Sequence, residues 1–106
     1  MKKEITEDVL KIMQLIEEDA NISQREIAKN LGLSLGKTNY CISSLIEIGY
    51  IKMQNFSNSD KKINYLYLLT PKGIKEKSII TKNFIAKKKE EYDILVEYIN
   101  KSNINN

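Results

Sequence analysis

At 106 residues, 42% hydrophobic and 29% charged, the chain has the make-up of one compact globular domain with room for an extra helix, which excludes the disordered and membrane-embedded classes. It has no histidine and a single cysteine, Cys41, so there is no internal disulfide and no His-based catalytic or metal-ligating set. The formal charge of +3 is uneven, −3 over residues 1–19 against +3 over 20–62 and +3 from 63 onward, as expected if one face meets a polyanion, although a Lys-rich surface alone would also account for it.

Met1-Lys2-Lys3 is followed at once by Glu4, Glu7 and Asp8, where an export signal would need apolar residues, so a cytoplasmic protein is expected. From Glu7 to Glu18, Val9, Ile12, Met13 and Ile16 recur at steps of three and four and predict an amphipathic first helix. Ser23-Gln24-Arg25-Glu26 has the form of a capping box, with the Ser23 side chain accepting from the Glu26 amide and Glu26 reaching back. The second helix that opens there is short and ends at Gly32, and Ser34 caps a third helix running from Leu35 to about Ile48 and stopped by Gly49. Two helices joined so tightly, the first short and the second longer, make a helix-turn-helix.

Tyr50 to Phe56 and Ile63 to Leu69 read as two strands around a polar turn, residues 57–62, and so as a β-hairpin wing. Thr70-Pro71-Lys72-Gly73 supplies a cap with proline at the first helical position. No breaker follows Gly73, so a helix of about 30 residues is expected from Pro71 to about Lys101. The expected fold class is therefore mainly α with a small β-hairpin. A winged helix-turn-helix over 1–70 is followed by a long C-terminal helix over 71–101 and a disordered tail over 102–106. The helix carries an apolar stripe, interrupted by Lys88, in which Ile74, Phe84, Ile85, Tyr92, Leu95, Tyr98 and Ile99 are the candidate contacts to a second copy of the chain. Folding back on its own domain is the competing use, expected for the first half.

With Thr38 as reference on the third helix, 100° per residue places Ile42 and Leu45 beside it, toward the core. Gly36, Tyr40, Ser43 and Glu47 then point outward, with Lys37 and Ser44 on one flank and Asn39 on the other. Short side chains permit close approach to a major groove, and Lys37, Asn39 and Tyr40 can donate to base edges or phosphates. An ordinary solvated helix face is the plainer reading; Tyr40 amid small residues favours a contact surface. Gln24 and Arg25, at the start of the second helix, suit a phosphate, as do Lys61 and Lys62 in the wing loop.

Three signals mislead or count for little. Gly32-Leu33-Ser34-Leu35-Gly36 matches a nucleophile elbow and, extended to Lys37-Thr38, resembles a short Walker A loop. Neither follows a strand and no histidine exists, so Ser34 is a helix cap. Cys41 lies at the edge of the core-facing stripe and reads as a small hydrophobe rather than a redox switch. No catalytic residue, metal or cofactor is expected, and an enzyme is not the reading.

Ser23-Gln24-Arg25-Glu26-Ile27-Ala28, the run Leu33 to Cys41 through Gly36-Lys37-Thr38-Asn39-Tyr40, and Leu69-Thr70-Pro71-Lys72-Gly73 together resemble the MarR-type winged-helix regulators, in particular the short subgroup associated with exopolysaccharide and capsule loci. The resemblance covers about Glu7 to Tyr98. It implies a homodimeric, sequence-specific regulator of double-stranded DNA whose third helix enters the major groove. Gly36 to Tyr40 would read bases and Ser57 to Lys62 would form the wing tip. The long N-terminal dimerisation helix of larger relatives is missing, which leaves pairing to the C-terminal helix. A winged-helix module that binds protein and no DNA is the alternative.

Overall fold

A computed structural model describes residues 7–57 and 63–104. The chain runs α1 (Glu7–Glu18), α2 (Gln24–Leu31), α3 (Leu35–Ile48), β1 (Ile51–Ser57), β2 (Ile63–Leu69) and α4 (Pro71–Ile104). This is a winged helix-turn-helix with a long C-terminal helix.

Local chemistry sets each boundary. Ser23 accepts from the Glu26 amide at 3.1 Å, and its hydroxyl donates to Glu26 Oε1 at 3.2 Å. The return contact of the capping box is thus made to the side chain of Ser23 rather than to its N–H. Ser34 accepts from the Lys37 amide at 3.1 Å. Gly32 and Gly49 take φ values of 65° and 92°, a region costly for other residues. There the amides of Leu33 and Tyr50 close back onto Ala28 O and Leu45 O, each at 2.9 Å, ending α2 and α3. Because the Tyr50 amide serves α3, the first strand starts at Ile51, one residue later than the sequence suggests, and ends at Ser57.

The core is built from one stripe per element: Ile12, Met13 and Ile16 of α1, Ile27 of α2, Ile42 and Leu45 of α3, and Ile51 and Tyr67 of the hairpin. The strands pair antiparallel, Ile51 with Leu69 and Met53 with Tyr67, so the hairpin buries its base and projects its outer half. Thr38 is fully buried among apolar neighbours, and its hydroxyl donates to Ser34 O at 2.9 Å, which removes the cost of burying it.

The first turn of α4 is clamped to the α3–β1 junction. Thr70 Oγ1 donates to Gly49 O at 2.5 Å and accepts from the Gly73 amide at 3.0 Å. Lys72 Nζ donates to Ile48 O at 3.1 Å and lies 5.4 Å from the centre of the Tyr50 ring. Burial, helped by Glu76, raises the Tyr50 phenol above its ordinary pKa. Gly73 is buried with its Cα against the Tyr50 carbonyl.

Two ion pairs mark the direction in which α4 leaves. Lys77 meets Glu17 at 2.5 Å and Lys88 meets Glu7 at 3.3 Å, so α4 runs antiparallel to α1. The lysine that interrupts the apolar stripe is therefore matched to a carboxylate at the edge of the domain. Glu76, Lys77, Ile80, Thr81 and Phe84 are half-buried, whereas every described residue from Ile85 to Asn103 is exposed. The helix also continues past Lys101, through Ser102 and Asn103 to Ile104. The radius of gyration is 18.4 Å and the longest extent 69 Å, against a radius of about 13 Å for a compact chain of this length. Among the described residues no helix is long and apolar enough to cross a membrane.

Candidate nucleic-acid interface

The orientation of α3 follows from what it buries. With Thr38, Ile42 and Leu45 locked inward, Gly36, Lys37, Asn39, Tyr40 and Ser43 all lie exposed on the opposite side, Tyr40 at 64%. Among the described residues no other part of the chain covers this face. A Cβ built on Gly36 would meet nothing within 4 Å, so the first turn of α3 is open to a close approach.

Several expected donors are partly engaged within the chain. Ser44 is half-buried and its hydroxyl donates to Tyr40 O at 2.9 Å. Ser34 is exposed and spends its oxygen on the Lys37 amide. Lys37 Nζ lies 3.7 Å from Asp8 Oδ2 of α1, an acid that sequence patterning did not connect with this helix. That pair is exposed and worth at most about 1 kcal/mol, so a phosphate can displace the carboxylate. Arg25 is exposed at the start of α2.

Gln24 is half-buried, with its amide engaged on both sides. Its Nε2 donates to the Tyr67 hydroxyl at 3.1 Å, and its Oε1 accepts from Asn39 Nδ2 at 3.3 Å. Tyr67 was not among the expected site residues; a link over 43 positions leaves no mark in local spacing. Lys61, Lys62 and the turn they belong to lie outside the described residues.

Cys41 sits beneath this face, buried. Burial raises the thiol above its ordinary pKa, Lys37 opposes the rise and Asp8 adds to it. The thiolate is the reactive form, so a raised pKa and a covered sulfur both slow attack. At pH 8 a disulfide reagent such as dithiobis(nitrobenzoate) is expected to modify Cys41 roughly tenfold or more slowly in the native protein than in urea. Equal rates would show that the sulfur is open to solvent. Among the described residues no group of three His, Cys, Asp or Glu side chains comes together to hold a metal.

On α4, 100° per residue puts Ile74, Ile85, Tyr92, Val96 and Ile99 within an arc of about 60°, with Leu95 a little further round. Leu95 is 62% and Tyr98 68% exposed. Val96 belongs to the stripe although heptad counting passed over it. Phe84, by contrast, is half-buried where α4 still lies along its own domain.

A family model described as winged helix-turn-helix DNA-binding matches residues 9–52, from α1 to the start of β1. No curated protein sequence matches the chain. Among solved structures, the transcriptional regulator SlyA is similar at 23% identity and a TM-score of 0.65, over 82% of this chain and 60% of that one. Streptococcus pneumoniae FabT, solved in complex with DNA, is similar at 18% identity and a TM-score of 0.58, over 86% and 62%. A MarR/EmrR family transcriptional regulator from Acinetobacter sp. ADP1 aligns at 22% identity and a TM-score of 0.60, over 82% and 59%. The chain spans about three fifths of the length of these proteins. At these identities the likeness is one of fold: the chain has the winged helix-turn-helix architecture, and structural neighbours with that architecture include MarR-family regulators.

Proposed function

We propose that this chain is a sequence-specific regulator of transcription that binds double-stranded DNA as a homodimer, with α3 in the major groove. The observation that carries the reading is the outward face of α3, on which Gly36, Lys37, Asn39, Tyr40 and Ser43 all lie exposed, α3 itself carrying no acid before Glu47. Lys37, Asn39, Tyr40 and Ser44 would make the groove contacts, with Ser34 and Ser43 beside them. Arg25 would hold a phosphate near the amides that open α2, and Lys61 and Lys62 would meet the backbone from the wing.

A second copy supplies what the outer half of α4 lacks. Its stripe of Ile85, Tyr92, Leu95 and Ile99 is exposed in the single chain and pairing would bury it, and a two-fold pair would set two α3 helices on half-sites about one DNA turn, roughly 34 Å, apart. Regulation of exopolysaccharide or capsule genes rests on the resemblance of the Gly36–Cys41 run alone. Binding to such a promoter in preference to an unrelated one would support it.

An electrophoretic shift with the promoter upstream of the protein's own locus, at two salt concentrations, tests the central reading. Lys37→Ala combined with Tyr40→Ala is expected to weaken binding roughly 100-fold or more, at about 1–3 kcal/mol per lost groove contact in each chain of the pair. Undiminished binding by the double variant would refute groove entry by this face. A wild-type protein that shifts no duplex would favour a protein-binding module.

A further inference from the structure

Asn39 reaches the groove-facing surface already held. Its Nδ2 donates to Gln24 Oε1 at 3.3 Å, and Gln24 Nε2 donates to the Tyr67 hydroxyl at 3.1 Å. Two hydrogen bonds thus join three elements: α3, the first residue of α2, and β2. Tyr67 is the fixed end, only 5% exposed, with its ring in the core and its amide bonded to Ala20 O at 3.1 Å. Gln24 is the half-buried middle and Asn39 the exposed end.

In the orientation the structure gives, Asn39 is the donor at the exposed end of the chain. With Gln24 Nε2 given to Tyr67, the Gln24 oxygen faces Asn39 and draws one hydrogen of its amide. A primary amide has two hydrogens, one beside its oxygen and one pointing away. Using the outer hydrogen on Gln24 keeps the inner hydrogen and the oxygen side by side, a donor next to an acceptor. In the major groove that pair matches adenine, which offers its N6 amino group as donor and N7 as acceptor. Guanine offers two acceptors, cytosine an amino donor, and thymine an acceptor beside a methyl group.

We propose that Asn39 is the adenine-reading residue of this protein, and that Gln24 and Tyr67 are positioning residues that hold its amide in the reading sense. The proposal rests on the DNA-binding function set out above and assigns it a specificity. It also moves Gln24 from the phosphate backbone to the support of a base contact. A side chain held in place before binding loses less freedom on meeting the base than one that has to be ordered there.

Selection from a randomised duplex library with the purified full chain, followed by sequencing, tests it. The wild type is expected to enrich sites with adenine at one position in each half-site. Asn39→Ala should lower that preference roughly tenfold or more while the other positions keep theirs. Tyr67→Phe, which removes only the hydroxyl, and Gln24→Met, which breaks the chain without touching the core, should each lower the same preference severalfold although Asn39 is intact. Their affinity for non-specific duplex, which a merely structural defect would reduce, should stay at the wild-type level. A wild-type site whose every position survives Asn39→Ala would overturn the adenine assignment and leave DNA binding standing. A profile unchanged in both Tyr67→Phe and Gln24→Met would overturn the positioning roles. Failure of the wild type to enrich any sequence would refute sequence-specific DNA binding, and this proposal with it.

Discussion

Replacing Gly73 by alanine is expected to destabilise the fold by about 3 kcal/mol, the upper part of the range for overpacking, and to lower the thermal midpoint by roughly 15 °C in a domain of this size. An ideal Cβ at Gly73 would stand 1.9 Å from the Tyr50 carbonyl oxygen and 2.8 Å from its carbon. Both are backbone atoms, so no side chain can swing aside; α4 or the α3–β1 junction has to move by more than an ångström. The same Tyr50 oxygen accepts from the Thr70 amide at 3.0 Å, and Thr70 Oγ1 holds Gly49 O, so displacement also strains the bonds that dock α4. Gly36→Ala is the matched control. Nothing lies within 4 Å of its would-be Cβ, and alanine in a helix is favoured over glycine by about 0.5–1 kcal/mol. Calorimetry of the two variants side by side settles the matter: an unchanged midpoint for Gly73→Ala would mean that the clamp yields without cost.

The second large effect concerns the outer half of α4. Leu95→Glu combined with Ile99→Glu is expected to give a folded monomer with operator affinity lowered roughly 100-fold or more, since pairing two half-site contacts through one assembly gains about 10²–10⁴. Both positions are more than 60% exposed in the single chain, so the substitutions disturb no core contact. Helicity should fall as well, because the outer half of α4 loses the packing of its apolar face, the main source of helical stability in proteins. Light scattering, circular dichroism and the mobility shift read the three consequences. A variant that stays dimeric and binds DNA as before would place the pairing surface elsewhere.

Sequence reading located α1 from its apolar period alone, and α2 and α3 from chemical stops at both ends. Ser23 and Gly32 delimit α2, and Ser34 and Gly49 delimit α3, because one side-chain oxygen and one left-handed residue suffice to satisfy the helix ends. At the end of α4, where no stop exists, the boundary drifted: Ser102 and Asn103 carry no breaker, and α4 runs on to Ile104. The outward face of α3 was legible because a rigid rod with three inward side chains leaves little freedom for the rest. Illegible were the contacts between elements distant in sequence: Asp8 with Lys37, Gly73 with Tyr50, and Tyr67 with Gln24. Each depends on how elements pack, which periodicity within one element does not encode. Lys88 is an instructive case, an apparent flaw in an apolar stripe that becomes a boundary mark once Glu7 is seen opposite it.

The antiparallel course of α4 along α1 turns a local contact into a mechanical one. Beyond the Lys88–Glu7 contact the helix is an arm of about 24 Å, from residue 89 to Ile104. A tilt of about 10° at its root would sweep the tip through roughly 4 Å, more than the 3.4 Å step between stacked base pairs. In the paired assembly proposed above, the angle at which α4 leaves its root would therefore set how far apart two operator halves can lie.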